Sequence, residues 1–382
     1  GYYRTTGSLT IPSGVELRGI HEGLHVPTGE GSVLYVTDGM GDEEGLPFIT
    51  MKEGSILRGV LFWYPEQAWN DVRAYPATVA IEGENCTVRN VSFGNSYRAL
   101  IGLGDCAGHY LENLTGCALR EGIVMEESSG AGIMMNVHFN LSLYTAVWGT
   151  RLSDASGSFG SGEMFTGLLG YLNGNLTAFR LGALKEETLL FVFNYRARYG
   201  MDFTGGFDGK VIGCAVDGSL CGIRVTGSYE NGLNLLNFSD DIVPGETPEG
   251  NLAIYIDADP DSTIRFASGG ASSYNYVPEG LILLKSGHLV LDGFDARVSP
   301  TSGQGALRVK DGGTAQVSGM VFQHVGPLDA EGRFTMQESA LDIRVDAGAG
   351  LSLYSAIGRG YLNTKLSGGA EVPFCCYVSS AD

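Results

Sequence analysis

The sequence has few cationic residues. Its 382 residues include 24 Lys and Arg against 43 Asp and Glu, which gives a formal net charge of −19 at pH 7. Nucleic acids and other strongly anionic polymers need a basic surface or bound cations, so this balance argues against them and favours a neutral ligand. No run of about 18 or more apolar residues is present, and we therefore expect no membrane span.

Common motifs of catalysis and metal binding are also missing. The sequence contains no G-x-S-x-G, HExxH, Walker or dinucleotide-binding motif. Its seven cysteines show neither CxxC nor His-rich spacing, which predicts mostly buried free thiols. The alternating aspartates Asp257, Asp259 and Asp261 lack the glycine and distal glutamate of an EF-hand, so we interpret them as a solvated turn. We expect neither a cofactor nor a metal ion.

No stretch keeps a long helical period, but a short unit recurs along the chain. The unit is a small residue followed by apolar, variable and apolar residues. Many short strands at nearly regular spacing predict an all-β fold, a parallel β-helix (solenoid) of about 11–13 coils. The units begin at Ala80, Ala99, Gly122, Thr145, Ala178, Gly200, Gly222, Ala253, Gly280, Ala306 and Ala340.

Three asparagines follow the same repeat. Asn90, Asn113 and Asn136 are spaced by 23 residues and each precedes an apolar residue. Asparagine tolerates the bent backbone of a turn, and its amide can both donate and accept hydrogen bonds. We predict that the three side chains form a structural ladder at one corner of consecutive coils.

The N-terminal part carries a family resemblance. The stretch GYYRTTGSLTIPSGVELRGI, followed by GSVLYVTDG and NCTVRNVSF, resembles the first coils of the pectin-lyase-like superfamily. The resemblance implies one right-handed parallel β-helix domain over residues 1–382. In that superfamily such a stretch follows a capping helix and a first strand, so we expect the N-terminal cap to be missing here. Members include lyases, hydrolases, epimerases and tailspikes, and the resemblance therefore implies a fold rather than one activity.

The third residue of the repeated unit faces outward, because side chains alternate along a strand. Arg180, Asp202 and Arg224 occupy this place in three consecutive units. An aspartate between two guanidinium groups should be ionised, which suits a nucleophile, a base or a clamp for sugar hydroxyls. The alternative is an external ladder that only neutralises charge. The predicted column is Glu82, Ile101, Val124, Val147, Arg180, Asp202, Arg224, Tyr255, Ile282, Arg308 and Asp342.

Aromatic and planar polar residues flank this column. Sugar rings stack on aromatic faces, and sugar hydroxyls bind guanidinium and carboxylate groups. These residues lie one or two places before the small residue of a unit, or within the outward column itself. The predicted substrate-binding residues are Arg180, Arg224, Tyr199, Arg198, Glu121 and Tyr144.

A glycoside hydrolase needs a second carboxyl group beside Asp202. Turns after the same strands supply Glu126 and Asp208, which complete the predicted catalytic set. A loop insertion near residues 149–175 enlarges one coil and is expected to form one wall of a cleft. Further carboxyl groups in these turns and this insertion are Glu127, Glu186, Glu187, Glu230, Glu163 and Asp154.

The favoured hypothesis is a secreted, periplasmic or cell-surface glycoside hydrolase that binds a polysaccharide along the coils. Two other classes stay open. A polysaccharide lyase or epimerase would place Arg198 or Tyr199 at a uronate. A non-catalytic glycan-binding or structural β-helix of the tailspike kind would bind without turnover, and we would expect it to be a homotrimer.

Overall fold

The computed structural model describes residues 1–21, 31–147, 150–151, 162–243, 251–273, 280–298, 306–324, 343–359 and 364–366. Strands make up 57% of the protein and helices 5%. A long all-parallel sheet of short strands confirms the predicted all-β parallel β-helix. Contacts divide the chain into two compact units, Gly1–Met201 (unit 1) and Asp202–Asp382 (unit 2). The single-domain organisation stays a prediction.

Each coil of unit 1 contributes one strand to a front sheet and one bent or two short strands to a back sheet. Neighbouring coils pair in parallel, at the usual spacing of about 4.8 Å. The front strands are β2 (Leu9–Ile11), β5 (Ile49–Met51), β8 (Ala77–Ile81), β10 (Arg98–Gly102), β12 (Glu121–Ser128) and β16 (Thr177–Leu184). The back strands are β1 (Tyr2–Thr5), β3 (Glu16–Arg18), β4 (Ser32–Val36), β6 (Ile56–Arg58), β7 (Val60–Trp63), β9 (Thr87–Phe93), β11 (Tyr110–Gly116), β13 (Ile133–Asn140) and β17 (Glu187–Tyr195).

Unit 2 repeats this arrangement, and β18 (Tyr199–Phe203) contains the boundary between the units. The front strands are β21 (Cys221–Gly227), β24 (Leu252–Ala258), β29 (Leu307–Val309), β32 (Ile343–Val345) and β35 (Thr364–Leu366). The back strands are β19 (Gly209–Ile212), β20 (Ala215–Ser219), β22 (Leu233–Leu236), β23 (Ser239–Ile242), β25 (Thr263–Ala267), β26 (Gly270–Ser273), β28 (Asp295–Val298), β30 (Gly313–Ser318), β31 (Met320–His324), β33 (Gly350–Leu353) and β34 (Ala356–Arg359). The long β27 (Ile282–Asp292) pairs in both sheets.

A left-handed residue bends the back sheet in most of the described coils. In unit 1, Asn90, Asn113 and Asn136 have φ of 54°, 56° and 52°. Asn113 Nδ2 donates to Asn90 Oδ1 at 2.9 Å, and Asn136 Nδ2 donates to Asn113 Oδ1 at 2.6 Å. The predicted asparagine ladder is therefore confirmed. In unit 2 the same bend falls at Gly213, Asn237, Ser268, Gly293 and Gly319.

Close packing between coils explains why the first residue of the repeated unit is small. A Cβ atom added at Gly122 would lie 2.2 Å from the carbonyl oxygen of Ala178 in the next coil. Large aromatic side chains fill the interior of unit 1. The rings of Phe62, Phe93, Phe139 and Phe179 follow one another from coil to coil, with neighbouring centroids 5.6 to 6.2 Å apart. Burial of these rings contributes to the hydrophobic stabilisation of the coils.

The register corrects parts of the predicted outward column. Ala80, not Glu82, pairs with Ile101, and Leu283 rather than Ile282 pairs with Tyr255. Ile282 was wrong because the run Leu281–Leu284 is apolar throughout, so alternation does not identify its outward side. In the last coils Arg308 pairs with Arg344, and Asp342 lies outside the described residues.

The insertion in unit 1 begins earlier than predicted. Strand β12 pairs directly with β16, with Val124 opposite Arg180, so the segment between β13 and β16 belongs to neither parallel sheet. It contains a 3₁₀ helix (Leu141–Leu143), the antiparallel pair β14 (Thr145–Val147) and β15 (Thr150–Arg151), and helix α1 (Glu163–Asn175). Val147 is therefore not part of the outward column. Within the described ranges, no helix has the length and apolarity that a membrane crossing requires.

The described cysteines match their prediction as buried free thiols: Cys86, Cys106, Cys117, Cys214 and Cys221. The cysteines Cys375 and Cys376 and the carboxyl group of Asp154 lie outside the described residues.

Candidate functional site

The front sheet of unit 1 carries a carboxylate between two arginines. Arg98 and Glu121 stand opposite each other on β10 and β12, and Arg180 extends from β16. Arg98 Nε donates to Glu121 Oε2 at 2.6 Å, and Arg180 Nη1 donates to Glu121 Oε1 at 3.1 Å. Each carboxylate oxygen thus has its own guanidinium partner, which fixes the orientation of Glu121.

The loop 37–48 approaches this cluster from one side. Arg98 Nη1 donates to the main-chain oxygen of Glu43 at 3.2 Å, and the Tyr97 hydroxyl donates to Glu43 Oε2 at 3.3 Å. Burial raises the pKa of Tyr97 to about 12, and the negative charge of Glu43 adds to this shift. Tyr97 is therefore a neutral donor at physiological pH.

Helix α1 approaches the same cluster from the insertion. Arg120 Nη1 donates to the main-chain oxygen of Asn175 at 2.8 Å, where α1 ends, and Arg120 Nε lies 3.8 Å from Glu43 Oε1. A guanidinium at the C-terminus of a helix satisfies a free carbonyl and complements the helix dipole. Arg120 therefore connects α1 with the loop 37–48. We name the cluster of Glu43, Tyr97, Arg98, Arg120, Glu121 and Arg180 the front cluster.

Charge at the front cluster is balanced once the neighbouring Glu44 is counted, although the chain as a whole is strongly acidic. Three arginines face Glu43 and Glu121, and Glu44 Oε1 lies 3.9 Å from Arg98 Nη1. A balanced set of planar donors and acceptors suits hydroxyl groups better than it suits a highly charged polymer.

Unit 2 contains the predicted pair of Asp202 and Arg224. Arg224 Nε lies 3.3 Å from Asp202 Oδ1, and only 4% of the Asp202 side chain is exposed. Tyr229 lies nearby and is buried, and burial raises the pKa of its hydroxyl. The arginine side chain thus covers the carboxylate, so Asp202 is less accessible to a substrate than the sequence suggests.

The two predicted second carboxyl groups belong to different units, Glu126 to unit 1 and Asp208 to unit 2. Glu126 is exposed, and its Oε2 would lie 2.6 Å from a Cβ atom added at Gly182 in the next coil. Asp208 Oδ2 accepts a hydrogen bond from Asn231 at 2.9 Å. Their predicted catalytic roles stay predictions.

Both flanking tyrosines are buried, Tyr144 completely and Tyr199 with 7% of its surface exposed. Tyr144 is fully buried and its hydroxyl donates to the main-chain oxygen of Gln67 at 3.4 Å, so the prediction that its ring stacks on a sugar does not fit this structure. It follows the 3₁₀ helix of the insertion and is not in a front strand. The guanidinium of Arg198 lies 5.2 Å from the centroid of the Tyr199 ring, a cation–π contact that orients Arg198.

A second polar cluster lies on the front sheet of unit 2. Asp257 Oδ2 accepts hydrogen bonds from Lys285 at 2.6 Å and from the Tyr255 hydroxyl at 3.2 Å. Burial raises the pKa of Asp257, but the bonds and charge of Lys285 outweigh it, and the net pKa lies below its usual range. Among the described residues, no group of three or more His, Cys, Asp or Glu side chains is arranged to hold a metal ion.

Sequence reasoning found Glu121 and Arg180 but missed Glu43. Glu43 is distant in sequence from Tyr97 and Arg120, and no local pattern signals that the loop 37–48 folds against the front sheet. Comparisons with protein-family models, with curated proteins and with solved structures find no match to this chain.

Proposed function

We propose that the protein is an extracellular glycoside hydrolase that acts on a neutral glycan at the front cluster. The observation that carries this proposal is that one arginine contacts two glutamates. Arg98 binds the carboxylate of Glu121 and the main chain of Glu43, so both glutamates are held near the same surface. Two carboxyl groups across a glycosidic bond are the usual requirement for its hydrolysis.

Each residue of the front cluster has a role in this mechanism. Glu121, fixed by two arginines, is the carboxylate that activates water or stabilises the positive charge of the transition state. Glu43 is the second carboxyl group and stands on a loop, where functional residues are common. Tyr97, Arg120 and Arg180 supply donors to sugar hydroxyls. Asp202 of unit 2 is the alternative catalytic carboxylate, and the product analysis described below tests it as well.

A second candidate is a binding protein without turnover, as in tailspike-like β-helices. Its support is that both carboxylate oxygens of Glu121 already accept hydrogen bonds from arginines. A substrate or water molecule would have to compete with these arginines for Glu121. A trimeric assembly and a relation to the pectin-lyase-like superfamily belong to this proposal as well, as the parallel β-helix is compatible with both.

Product analysis on neutral and uronic-acid polysaccharides tests the proposal. We expect new reducing ends with the wild type, and a loss of about 100-fold or more in Glu121→Gln and Glu43→Gln. The matched control is Glu112→Gln on the back sheet, since Glu112 is buried to a similar degree and pairs with Arg89 at 2.6 Å. The control should keep wild-type activity.

Other outcomes identify the alternatives. Loss of activity only in Asp202→Asn would move the site to unit 2. Absorbance from unsaturated uronates would indicate a lyase. Glycan binding with no new ends, on every polysaccharide of the panel, would support the binding protein and contradict the hydrolase.

A further inference from the structure

A pocket of about 210 Å³ lies behind the loop 37–48 in unit 1. Its lining includes Asp38, Asp42 and Leu46, and 79% of the surface of Leu46 is exposed. The volume is smaller than the roughly 300–1,000 Å³ of sites for drug-sized ligands. The pocket therefore suits a ligand no larger than one sugar ring.

Glycines keep this pocket open. A Cβ atom added at Gly39 would lie 2.7 Å from Cδ of Pro76, and one added at Gly45 would lie 2.7 Å from Oδ2 of Asp42. Gly39 also has φ of 85°, which a residue with a side chain rarely adopts. The loop thus takes a shape that leaves space between its backbone and the coil beneath it.

The lining combines two kinds of surface. One is apolar and includes Phe48, Pro76 and the exposed Leu46. The other is rich in acceptors, because ionised aspartates accept hydrogen bonds and donate none. A backbone amide of Gly7 occupies one oxygen of Asp38, and the neighbouring Ser8 adds a hydroxyl. A matching ligand has several donors on one edge and an apolar face.

We propose that this pocket binds a single neutral sugar ring. Adjacent sugar hydroxyls are donors that a carboxylate can accept in pairs, and the C–H face of the ring packs on apolar side chains. Asp42 accepts from the hydroxyls, and Phe48, Pro76 and Leu46 contact the ring face. The pocket is distinct from the front cluster, since different residues line it.

The loop 37–48 gives this pocket a connection to the front cluster. Asp38, Asp42 and Leu46 line the pocket, whereas Glu43 of the same loop contacts Tyr97 and Arg98. A sugar in the pocket would order the loop and thereby hold Glu43 in place. The statement that the pocket is a subsite for the glycan of the front cluster rests on the proposed function. The statement that the pocket binds a sugar ring does not rest on it.

Saturation-transfer NMR and calorimetry with glucose, galactose, mannose and N-acetylglucosamine test the pocket directly. We expect at least one sugar to bind the wild type with millimolar affinity. Asp42→Ala should weaken this binding at least about tenfold, because a charged hydrogen-bond acceptor is lost. Leu46→Ala, at an exposed residue that tolerates change, should weaken it about threefold. Asp71→Asn is the control, since Asp71 is exposed and pairs with Arg73.

The results separate this proposal from the proposed function. Absence of binding by all four sugars, or equal binding by wild type and Asp42→Ala, would overturn the pocket. Ethylammonium is a small cation with donors and an apolar part. If it binds to the pocket and the sugars do not, the sugar proposal is also overturned. Glu121→Gln should abolish turnover and keep sugar binding in the pocket. Turnover without pocket binding contradicts only the pocket, and pocket binding without turnover contradicts only the hydrolase.

Discussion

Asn113 donates its side-chain amide to Asn90 at 2.9 Å, one coil away along unit 1. Asn136 repeats the contact on Asn113 at 2.6 Å. All three residues have φ above 50°, a region that is unfavourable for most side chains and mild for asparagine. One residue type therefore meets two requirements of the corner, a left-handed backbone and a side chain that both donates and accepts.

Substitutions of Asn113 separate these two requirements. Asn113→Ala loses two hydrogen bonds and places a Cβ-bearing residue at positive φ, so we expect a loss of about 2 to 4 kcal/mol in the free energy of unfolding. Asn113→Gly removes the same hydrogen bonds but tolerates the backbone, and should cost about 1 to 2 kcal/mol less than Ala. Urea unfolding measures both values. Equal stability of the two variants would contradict the backbone contribution.

Phe191 stands opposite Asn136 in the next coil and has φ of 55°, with 60% of its surface exposed. A bulky residue in this conformation is strained and gains little from burial here. We expect Phe191→Asn to stabilise the protein by about 1 kcal/mol, because it removes strain and extends the ladder. Thermal unfolding measures the change. Leu190→Asn is the control, since Leu190 lies beside the corner, and it should give no such gain.

The ladder could be predicted from the sequence because its cause is local. An equal spacing and one residue type describe the whole feature, and the rest follows from the geometry of stacked strands. The repeated small residue is similar, because Gly122 must leave room for the carbonyl of Ala178 in the next coil. Such regularities recur from one coil to the next, so each recurrence is a further test of the prediction.

The front cluster could be predicted only in part. Arg180 holds the third place of its unit, and its outward direction follows from alternation, whereas Glu121 was found from its place just before the small residue of its unit. Glu43 and Asn175 belong to a loop and an inserted helix, and their approach to Arg120 depends on folding between distant segments. No periodicity describes that contact. The wrong assignment of Val147 has the same origin, because an insertion can imitate one unit of a repeat.

His109 and Glu187 form a buried pair that gives stability a pH dependence. His109 Nε2 lies 3.2 Å from Glu187 Oε2, and His109 Nδ1 lies 2.9 Å from the Cys106 oxygen. Burial lowers the pKa of His109, but Glu187 and the Cys106 carbonyl outweigh it, and the net pKa is raised above 6.5. The stabilisation is therefore complete below about pH 6.5 and is lost as pH rises through the raised pKa.

Glu187→Gln tests this dependence. We expect the variant to be about 3 to 5 kcal/mol less stable than the wild type at pH 5.5, since one partner of a buried ion pair is lost. The difference should shrink as pH rises, because the wild type then loses the proton that the pair holds. Urea unfolding between pH 5.5 and 9 measures it. A difference that is constant with pH would contradict the ion pair.

Asp240 is an acidic residue in the interior of unit 2. It lies on β23 between Val216 and Ala271 of the neighbouring coils and is 4% exposed. Burial, followed by the charges of Asp241 and Asp217, raises its pKa well above the usual value. The folded state therefore binds the proton more tightly than the unfolded state, and stability falls as pH rises above about 3.9.

Asp240→Asn keeps the shape and removes the charge. We expect the variant to match the wild type near pH 4 and to be more stable by about 1 to 3 kcal/mol at pH 8, where the wild type must bury or protonate a carboxyl group. Unfolding at both pH values measures the effect. Asp241→Asn is the control, since Asp241 is only half-buried, and it should gain less. A destabilised Asp240→Asn at pH 8 would contradict the buried acid.

Arg120 connects the loop 37–48 with helix α1, so its removal should loosen both. In Arg120→Ala we expect faster hydrogen exchange at backbone amides of the loop and of the last turn of α1, because the contacts to Glu43 and to the Asn175 carbonyl are lost. The strands of the front sheet should exchange as in the wild type. The global stability should fall by no more than about 1 kcal/mol, as Arg120 is 42% exposed.

Arg89→Ala is the matched control for this experiment. Arg89 has 44% of its side chain exposed and pairs with Glu112 at 2.6 Å, so it resembles Arg120 in exposure and charge but lies on the back sheet. Its loss should leave exchange in the loop 37–48 and in α1 unchanged. Equal exchange in both variants at these two segments would show that Arg120 does not hold them. Faster exchange in Arg120→Ala alone would show that the walls of the front cluster depend on one guanidinium group.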